Sequence, residues 1–423
     1  MDPVRNPYAP GAGQRPPELA GRDRQLEQFE VTLERVAAGR PERSMVLSGL
    51  RGVGKTVLLN ALRGQAVQRA WGTGKLEARP DRSVRLPLAQ AVHAAVREVA
   101  HRHRDAERVD AVTAVLKAFA LRTSLPDRKG VRWQPGASIE VPAARGRADS
   151  GDLELDLVEL FTDVADLARD LGVGIAVFVD EMQDVTVSEL AALCGACHEI
   201  SQQGAPLLVV GAGLPHLPVA LAASKSYAER LFRYVVVDRL PREMSDRALL
   251  VPAATEGVAY DGEALDELYR LTDGYPYFVQ AYGKVTWDAA LGSPIGAADV
   301  RAAAPEAEGE LAVGFFGARY DRATPAERDY MRAMADLALH TDDGAVPTAD
   351  VAASLARRPQ SLSPARDGLI KKGLVYSSER GTVAFTVPTS ASSCAASASR
   401  PDAGRPSGAA RPPAGCAASG GRR

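Results

Sequence analysis

The residues best suited to chemistry form the octet Gly49-Leu50-Arg51-Gly52-Val53-Gly54-Lys55-Thr56. Its pattern, G-x-x-x-x-G-K-T, can wrap a chain of phosphates. The glycines let backbone N–H groups approach phosphate oxygens, and a helix opening behind Gly54 adds the positive end of its dipole. The Lys55 ammonium would reach the β- and γ-phosphates, and the Thr56 hydroxyl would ligate Mg2+. Much later in the chain, Asp180 and Glu181 stand side by side. Two adjacent acids allow a division of labour: Asp180 holds the metal through water, and Glu181 polarises the attacking water. The two clusters together describe a site for ATP and Mg2+.

Each cluster needs a strand to hold it. Met45, Val46 and Leu47 form the short apolar run of a buried parallel strand, and Val57, Leu58, Leu59, Ala61 and Leu62 suit a helix packed on a sheet. Ile175 to Val179 is a second apolar run, ending on Asp180 and Glu181. Two more strands are expected at Pro206 to Gly213 and Tyr234 to Leu240. Helical spacing is read in Gly21 to Gly39 (Leu26, Phe29, Leu33, Val36), over 87–122 and in Leu153 to Leu171, with a loop-rich stretch at 125–152 that has room for a short hairpin. Strands alternating with helices predict a parallel α/β sheet over residues 21–242.

The flanks differ in kind. Residues 1–20 are rich in Pro and Gly and read as an extended strap, and residues 243–318 turn fully helical, as a small lid does. Residues 319–388 hold three helix signals and then a hairpin about Glu379-Arg380-Gly381, which together make a winged helix; Ser363 caps the third helix, with Pro364 at its first position. Residues 389–423 contain no Leu, Ile, Val, Met, Phe, Tyr or Trp, so this low-complexity tail is expected to be disordered. The abrupt change near Pro388 suggests a shift of reading frame.

With 46% hydrophobic and 25% charged residues, the composition is that of a globular protein. A formal net charge of −2 gives no overall sign of nucleic-acid binding, while a local basic patch remains compatible with it. No apolar run is long enough to span a bilayer and the N-terminus lacks the apolar segment of a secretory signal, so a cytoplasmic, membrane-free protein is expected. Cys194, Cys197 and His198 match the haem-attachment pattern C-x-x-C-H. That reading needs export, and the stretch around it has the spacing of an amphipathic helix. We expect buried thiols and no haem. Arginine far outnumbers lysine, a bias that suggests a GC-rich bacterial genome.

With both motifs placed, the chain resembles P-loop ATPases at the border of the AAA+ and STAND groups. It is similar to origin-recognition-like ATPases and to a group of actinobacterial ATP-binding proteins with a C-terminal winged helix. The marks are "ELAGRDRQLEQF", "GLRGVGKT", "DSGDLELDLVELF", "VFVDEMQD", "LLVVGAGLPHLP", "SYAERLF", "TDGYPYFVQAYG" and "RRPQSLSPARDGLIKKGLVY", within residues 7–387. The resemblance implies an AAA+-like P-loop fold with a helical lid. It places Gly21 and Arg22 in the box that closes over adenine. It makes Arg230 an arginine finger acting in trans, which fits a homo-oligomer, and gives Pro276 the lid contact to nucleotide. One departure stands out: where AAA+ enzymes carry a polar sensor at the end of the fourth strand, this chain has Gly211 and Ala212, which suggests slow hydrolysis.

Two functions are open at this point. The first is an ATP-hydrolysing switch that associates with double-stranded DNA through its winged helix. Between Ala345 and Pro388, six basic residues (Arg357, Arg358, Arg366, Lys371, Lys372, Arg380) face three acidic ones (Asp350, Asp367, Glu379), a local charge of +3. Arg366, Lys371, Lys372 and Arg380 would then meet the duplex. The second is a regulatory ATPase, with slow or no hydrolysis, whose winged helix binds a protein partner or clamps its own ATPase core.

Overall fold

The computed structural model describes residues 1–80, 82–103, 106–121, 141–312, 314, 322–338, 341, 344–377 and 381–387. Its centre is a five-stranded parallel sheet ordered β2-β3-β4-β1-β5. The strands are β1 (Ser44–Ser48), β2 (Gly72–Glu77), β3 (Ile175–Asp180), β4 (Leu207–Gly213) and β5 (Phe232–Val236). On one side of the strand order stand α3 (Arg85–His103), α4 (Ala106–Leu121), α5 (Leu153–Asp170) and α6 (Val187–Gln202); on the other stand α1 (Asp23–Ala37) and α2 (Lys55–Gln68). Alternation along each strand divides the core. Ile175, Val177 and Val179 face the α3–α6 layer, while Ala176 and Phe178 face α1 and α2. Leu207 and Val209 against Leu208, Val210 and Ala212 repeat the pattern in β4. The chain leaves β1 through the octet and α2, crosses to the far edge as β2, and returns. The crevice beyond the C-terminal ends of β1, β3 and β4 is therefore where this topology leaves room for a ligand.

Short helices α7 (Leu217–Ser224) and α8 (Ala228–Leu231) lead into β5. Then come α9 (Arg242–Thr255), α10 (Gly262–Thr272), α11 (Pro276–Ala289) and α12 (Ala297–Leu311). Their apolar faces share one continuous cluster with α1, α2 and the near face of the sheet. The N-terminal strap is bound to these helices. The Tyr8 hydroxyl donates to the Leu249 carbonyl at 2.8 Å, Asn6 Nδ2 donates to the Lys284 carbonyl at 2.9 Å, and Trp287 Nε1 donates to the Asp2 carbonyl at 3.1 Å.

The last unit has its own core, built around Tyr330, Met334, Val351, Leu362, Leu369 and Val375. It contains α13 (Pro325–Ala338), β6 (Ala345–Pro347), α14 (Thr348–Ser354), α15 (Pro359–Lys371), β7 (Val375–Tyr376) and β8 (Thr382–Phe385), with an antiparallel sheet ordered β6-β8-β7. The three helices and the strand pair expected from sequence are present.

Several expectations need correcting. The helical stretch read over 87–122 is present, as the two helices α3 and α4. The strand placed at Tyr234 to Leu240 is β5, shifted to Phe232–Val236, because β1 ends at Ser48 and its ladder partner ends with it. The third helix of the last unit starts at Pro359, so Ser363 and Pro364 lie inside it. Pro359 already supplies a proline at the first position, and one face must carry both Leu362 and Leu369, seven residues apart. Residues 125–140 of the loop-rich stretch, Arg319 at the expected start of the last unit, the wing residues Glu379 and Arg380, Pro388 and the tail 389–423 lie outside the described residues.

Candidate functional site

The octet follows β1, all five of whose residues are buried. Gly49 has to be glycine, because a Cβ there would stand 2.1 Å from the Val237 carbonyl oxygen. Gly52 and Gly54 hold left-handed φ values of 83° and 92°, open to glycine at little cost. The chain then enters α2 at Lys55. Lys55 is 8% exposed, and its ammonium donates to the carbonyls of Gly49 at 2.9 Å and Leu50 at 2.7 Å. Burial pushes its pKa down to about 8, with the charge of Arg51 acting the same way against Glu181 and Asp180. A lysine that is buried, partnered among the described residues by two carbonyls, and flanked by another cation is set up to receive a strong anion.

Asp180 is buried at the C-terminal end of β3. Its Oδ1 accepts from the Glu181 amide at 3.1 Å, and Oδ2 lies 3.6 Å from Lys75 Nζ. Glu181 takes a left-handed φ of 50°, which turns it out of the strand line towards the octet. Its Oε1 accepts from Arg51 Nη1 at 3.3 Å and its Oε2 from Gln183 Nε2 at 2.6 Å. Asp184, on the turn that follows, is pushed up to about 6 by burial and then by the charge of Glu181. Thr56 and Asp180 offer only hard oxygen donors, the type Mg2+ takes alongside phosphate oxygens and water.

At the end of β4, Gly211 and Ala212 leave no polar side chain. A Cβ at Gly211 would meet Met182 Sδ at 2.4 Å, and one at Gly213 would meet Gln183 Oε1 at 2.7 Å. The vacated space is used by Gln183, whose Oε1 accepts from the Leu214 amide at 3.0 Å while its Nε2 holds Glu181. Sequence reasoning missed Gln183. Two glycines at a strand end were the signal, since they admit a neighbour's side chain.

A cleft of about 320 Å³ opens over the octet, bounded by Lys55, Thr56, Arg22, Glu181, Pro276 and much of the strap from Ala9 to Ala20. The strap as a cleft wall was also missed, because its Pro/Gly-rich composition reads only as extended chain. Gly21 (φ 69°) lies between the lining residues Ala20 and Arg22. The buried Arg22 guanidinium donates to the Val53 carbonyl at 3.1 Å and the Asp238 carbonyl at 2.7 Å, and burial pushes its pKa down. Pro276 opens α11 beside the octet. The Tyr275 hydroxyl donates to the Arg51 carbonyl and the Tyr277 amide donates to the Gly52 carbonyl at 3.3 Å. Gly274 (φ 64°) permits this approach; a Cβ there would stand 2.1 Å from the Leu240 carbonyl oxygen.

The structure thus gathers Gly49 to Thr56, Asp180, Glu181, Arg22 and Pro276 into one place. It does not bring Arg230 there. Arg230 is exposed and precedes β5, whose first residue pairs with Ser44 at the start of β1, whereas the octet follows the end of β1. It therefore cannot reach its own chain's loop. Arg366, Lys371 and Lys372 lie in the last unit. Arg366 pairs with Asp367 at 3.0 Å, Lys372 pairs with Glu327 at 2.5 Å, and Lys371 is exposed. Arg380 is outside the described residues. Cys194 and Cys197 are buried on α6, and burial pushes both thiols up. Among the described residues, no helix is long and apolar enough to cross a membrane.

Comparison with known proteins meets this geometry. Residues 18–210 match the family model described as an AAA ATPase domain, and residues 313–392 match a domain of unknown function, DUF8462. No curated protein matched. Among solved structures, the chain is similar to the Walker-type ATPase PABY2304 of Pyrococcus abyssi, with 16% identity and a TM-score of 0.56 over 90% of this chain and 97% of that one. A weaker likeness is to the ORC2 protein of Aeropyrum pernix, solved in ADPNP and ADP complexes, with 13% identity and a TM-score of 0.49 over 92% and 97%. Cdc6p of Pyrobaculum aerophilum follows, with 16% identity and a TM-score of 0.42 over 95% and 99%. The AAA ATPase model spans both the octet and the acid-tipped end of β3, on a five-stranded parallel sheet of the P-loop NTPase fold, and on that ground residues 18–210 are an AAA ATPase domain.

Proposed function

We propose that the chain is a Mg2+-dependent ATPase that works as a nucleotide-driven switch, with its last unit, a winged helix, as a clamp on the ATPase core. One observation carries this reading. The Arg51 amide, inside the octet, donates to the carbonyl of Thr386 in the last unit at 3.1 Å. A phosphate loop that hydrogen-bonds a peripheral unit cannot change its occupant without that unit registering it. In this reading, Lys55 and the loop backbone hold the triphosphate, Thr56 and Asp180 hold the metal, and Glu181 orients water. Gly21, Arg22 and Pro276 close the base end. The units are the strap 1–20, the ATPase domain 21–242, the lid 243–318 and the winged helix 319–388. Arg230 serves a neighbouring copy, since it stands by the opposite end of β1 from its own cleft.

Association with double-stranded DNA is the competing reading. Lys371 and the local charge of +3 favour it, but Arg366 and Lys372 are already paired within the unit. ATPase rate and fluorescence anisotropy of a labelled duplex, measured on the full chain with ATP and with ADP, separate the two. A clamp predicts duplex-independent turnover and no binding at low salt. Duplex binding whose salt slope flattens in Lys371→Ala would replace the clamp with the DNA reading. A loss of turnover on dilution that Arg230→Ala abolishes would support action in trans.

A further inference from the structure

Arg51 is one of the four octet residues the pattern leaves free, yet it touches three parts of the molecule. Its amide meets Thr386 and its carbonyl accepts the Tyr275 hydroxyl. Its guanidinium, 22% exposed, donates to Glu181 Oε1 at 3.3 Å. The same guanidinium lies against Gly373 of the last unit, where a Cβ would stand 2.5 Å from Nη2. Its Nε is buried with no hydrogen-bond partner among the described residues. A planar fork with five donors, tied to one carboxylate oxygen by a long bond and holding a buried orphan donor, is under-used.

The cleft around it is balanced only while empty of other charge. Lys55, Arg51 and Arg22 are the cations that line it and Glu181 and Glu18 the anions, with Asp180 close enough that its charge, like those of Arg51 and Glu181, acts on Lys55. A terminal phosphate brings more negative charge than one carboxylate and several oxygens in the geometry a guanidinium fork accepts. It competes with Glu181 for Arg51 and wins on both counts.

We infer that Arg51 reads the terminal phosphate of the nucleotide. Without that phosphate, the guanidinium stays paired with Glu181 beneath Gly373. With it, the guanidinium turns to the phosphate, Glu181 is left free to address water, and the contact with Gly373 loosens. Arg51 is thus a binding residue for the third phosphate and a positioning residue for Glu181, and it couples both to the last unit. This inference rests on the ATPase reading.

The experiment measures binding of a non-hydrolysable ATP analogue and of ADP, each with Mg2+, to the full chain by calorimetry. Arg51→Ala should weaken the analogue about tenfold, the loss expected for one hydrogen bond between charged groups, and leave ADP within about twofold. Arg51→Lys, which keeps the charge but not the fork, should fall between. Hydrogen exchange in wild type should be faster over residues 373–387 with the analogue than with ADP, and Arg51→Ala should erase that difference. If both nucleotides weaken equally in both variants, or neither does, Arg51 does not read the third phosphate. If exchange over 373–387 is the same with either nucleotide, the coupling to the last unit is wrong. Should wild type bind neither nucleotide, the ATPase reading itself falls, an outcome distinct from the other two.

Discussion

Nucleotide affinity should decline as pH rises from 7 to 9, and Lys55 sets the size of the decline. Its folded-state pKa, about 8, lies well below the ordinary lysine value of 10.5, and burial is the main cause. The free chain therefore carries a charged Lys55 in about nine-tenths of molecules at pH 7 and about one-tenth at pH 9. Bound phosphates favour the charged form, so binding above pH 8 takes up a proton. Linkage then lowers apparent affinity about tenfold across the two units. The assay is titration with Mg2+-ADP at pH 7, 8 and 9, on wild type and on Lys55→Arg, whose guanidinium stays charged throughout. Wild type should slope and Lys55→Arg, if it binds, should be flat. A flat wild-type profile, or equal slopes, would refute the reasoning. The same residue makes a stability prediction. Its pKa is depressed on folding, so between pH 8 and 10.5 the unfolded chain binds the extra proton. Stability from this residue therefore rises with pH through that window, by ~3 kcal/mol at most. Denaturant unfolding of wild type against Lys55→Met across the window isolates the contribution.

Glu181→Gln should still bind ATP and lose turnover by roughly a hundredfold or more, since an amide cannot accept the water's proton; a native rate in a phosphate-release assay would remove Glu181 from the chemistry. Gly74→Ala would put a Cβ 2.0 Å from the Ala91 carbonyl oxygen on α3 and should cost about 1–3 kcal/mol in denaturant unfolding. Tyr275→Phe removes the donor to the Arg51 carbonyl and Arg22→Ala removes the donor to the Val53 carbonyl. Because both act on one loop, their stability losses should fail to add by at least ~0.5 kcal/mol, and strict additivity would show that the loop does not transmit between them.

The sheet was legible where strands are apolar on both faces, as in β1, β3 and β4, and the octet and the Asp180-Glu181 pair announced their own positions. β2 was not legible. Its sequence, GTGKLE, has glycine where a strand usually has bulk. A Cβ at Gly72 would lie 2.6 Å from the Ala95 carbonyl oxygen, so α3 packs on β2 at a distance that only glycine allows. Tertiary packing chose those residues, and no local pattern reports it. Pro364 misled for a related reason. A proline at helix start is a fair reading in isolation, but Leu362 needs its own turn of helix to reach the same core as Leu369. Gln183 and the strap wall depend on contacts between segments far apart in sequence. Arg22 was read from resemblance as a base-end residue, while its bonds to the Val53 and Asp238 carbonyls show a side chain that also grips the loop.

The phosphate loop is held from outside as much as from within. Val53 is gripped by Arg22, Gly52 by the amide of Tyr277, and Arg51 by Tyr275 on one side and Thr386 on the other. Each such bond stabilises by about 1 kcal/mol net, so four together are worth a few kcal/mol. That is the scale of the gap between two conformations a ligand can bias. A loop fixed far more firmly would bind nucleotide without signalling, and one held by nothing would have nothing to signal to. Lys55 adds to the bias, because its two carbonyl partners lie in the same loop and must be given up, at least in part, when it meets phosphate. The contacts that position the loop are therefore the ones its occupant perturbs, and they end at Arg22 before α1, at the start of α11 and in the last unit.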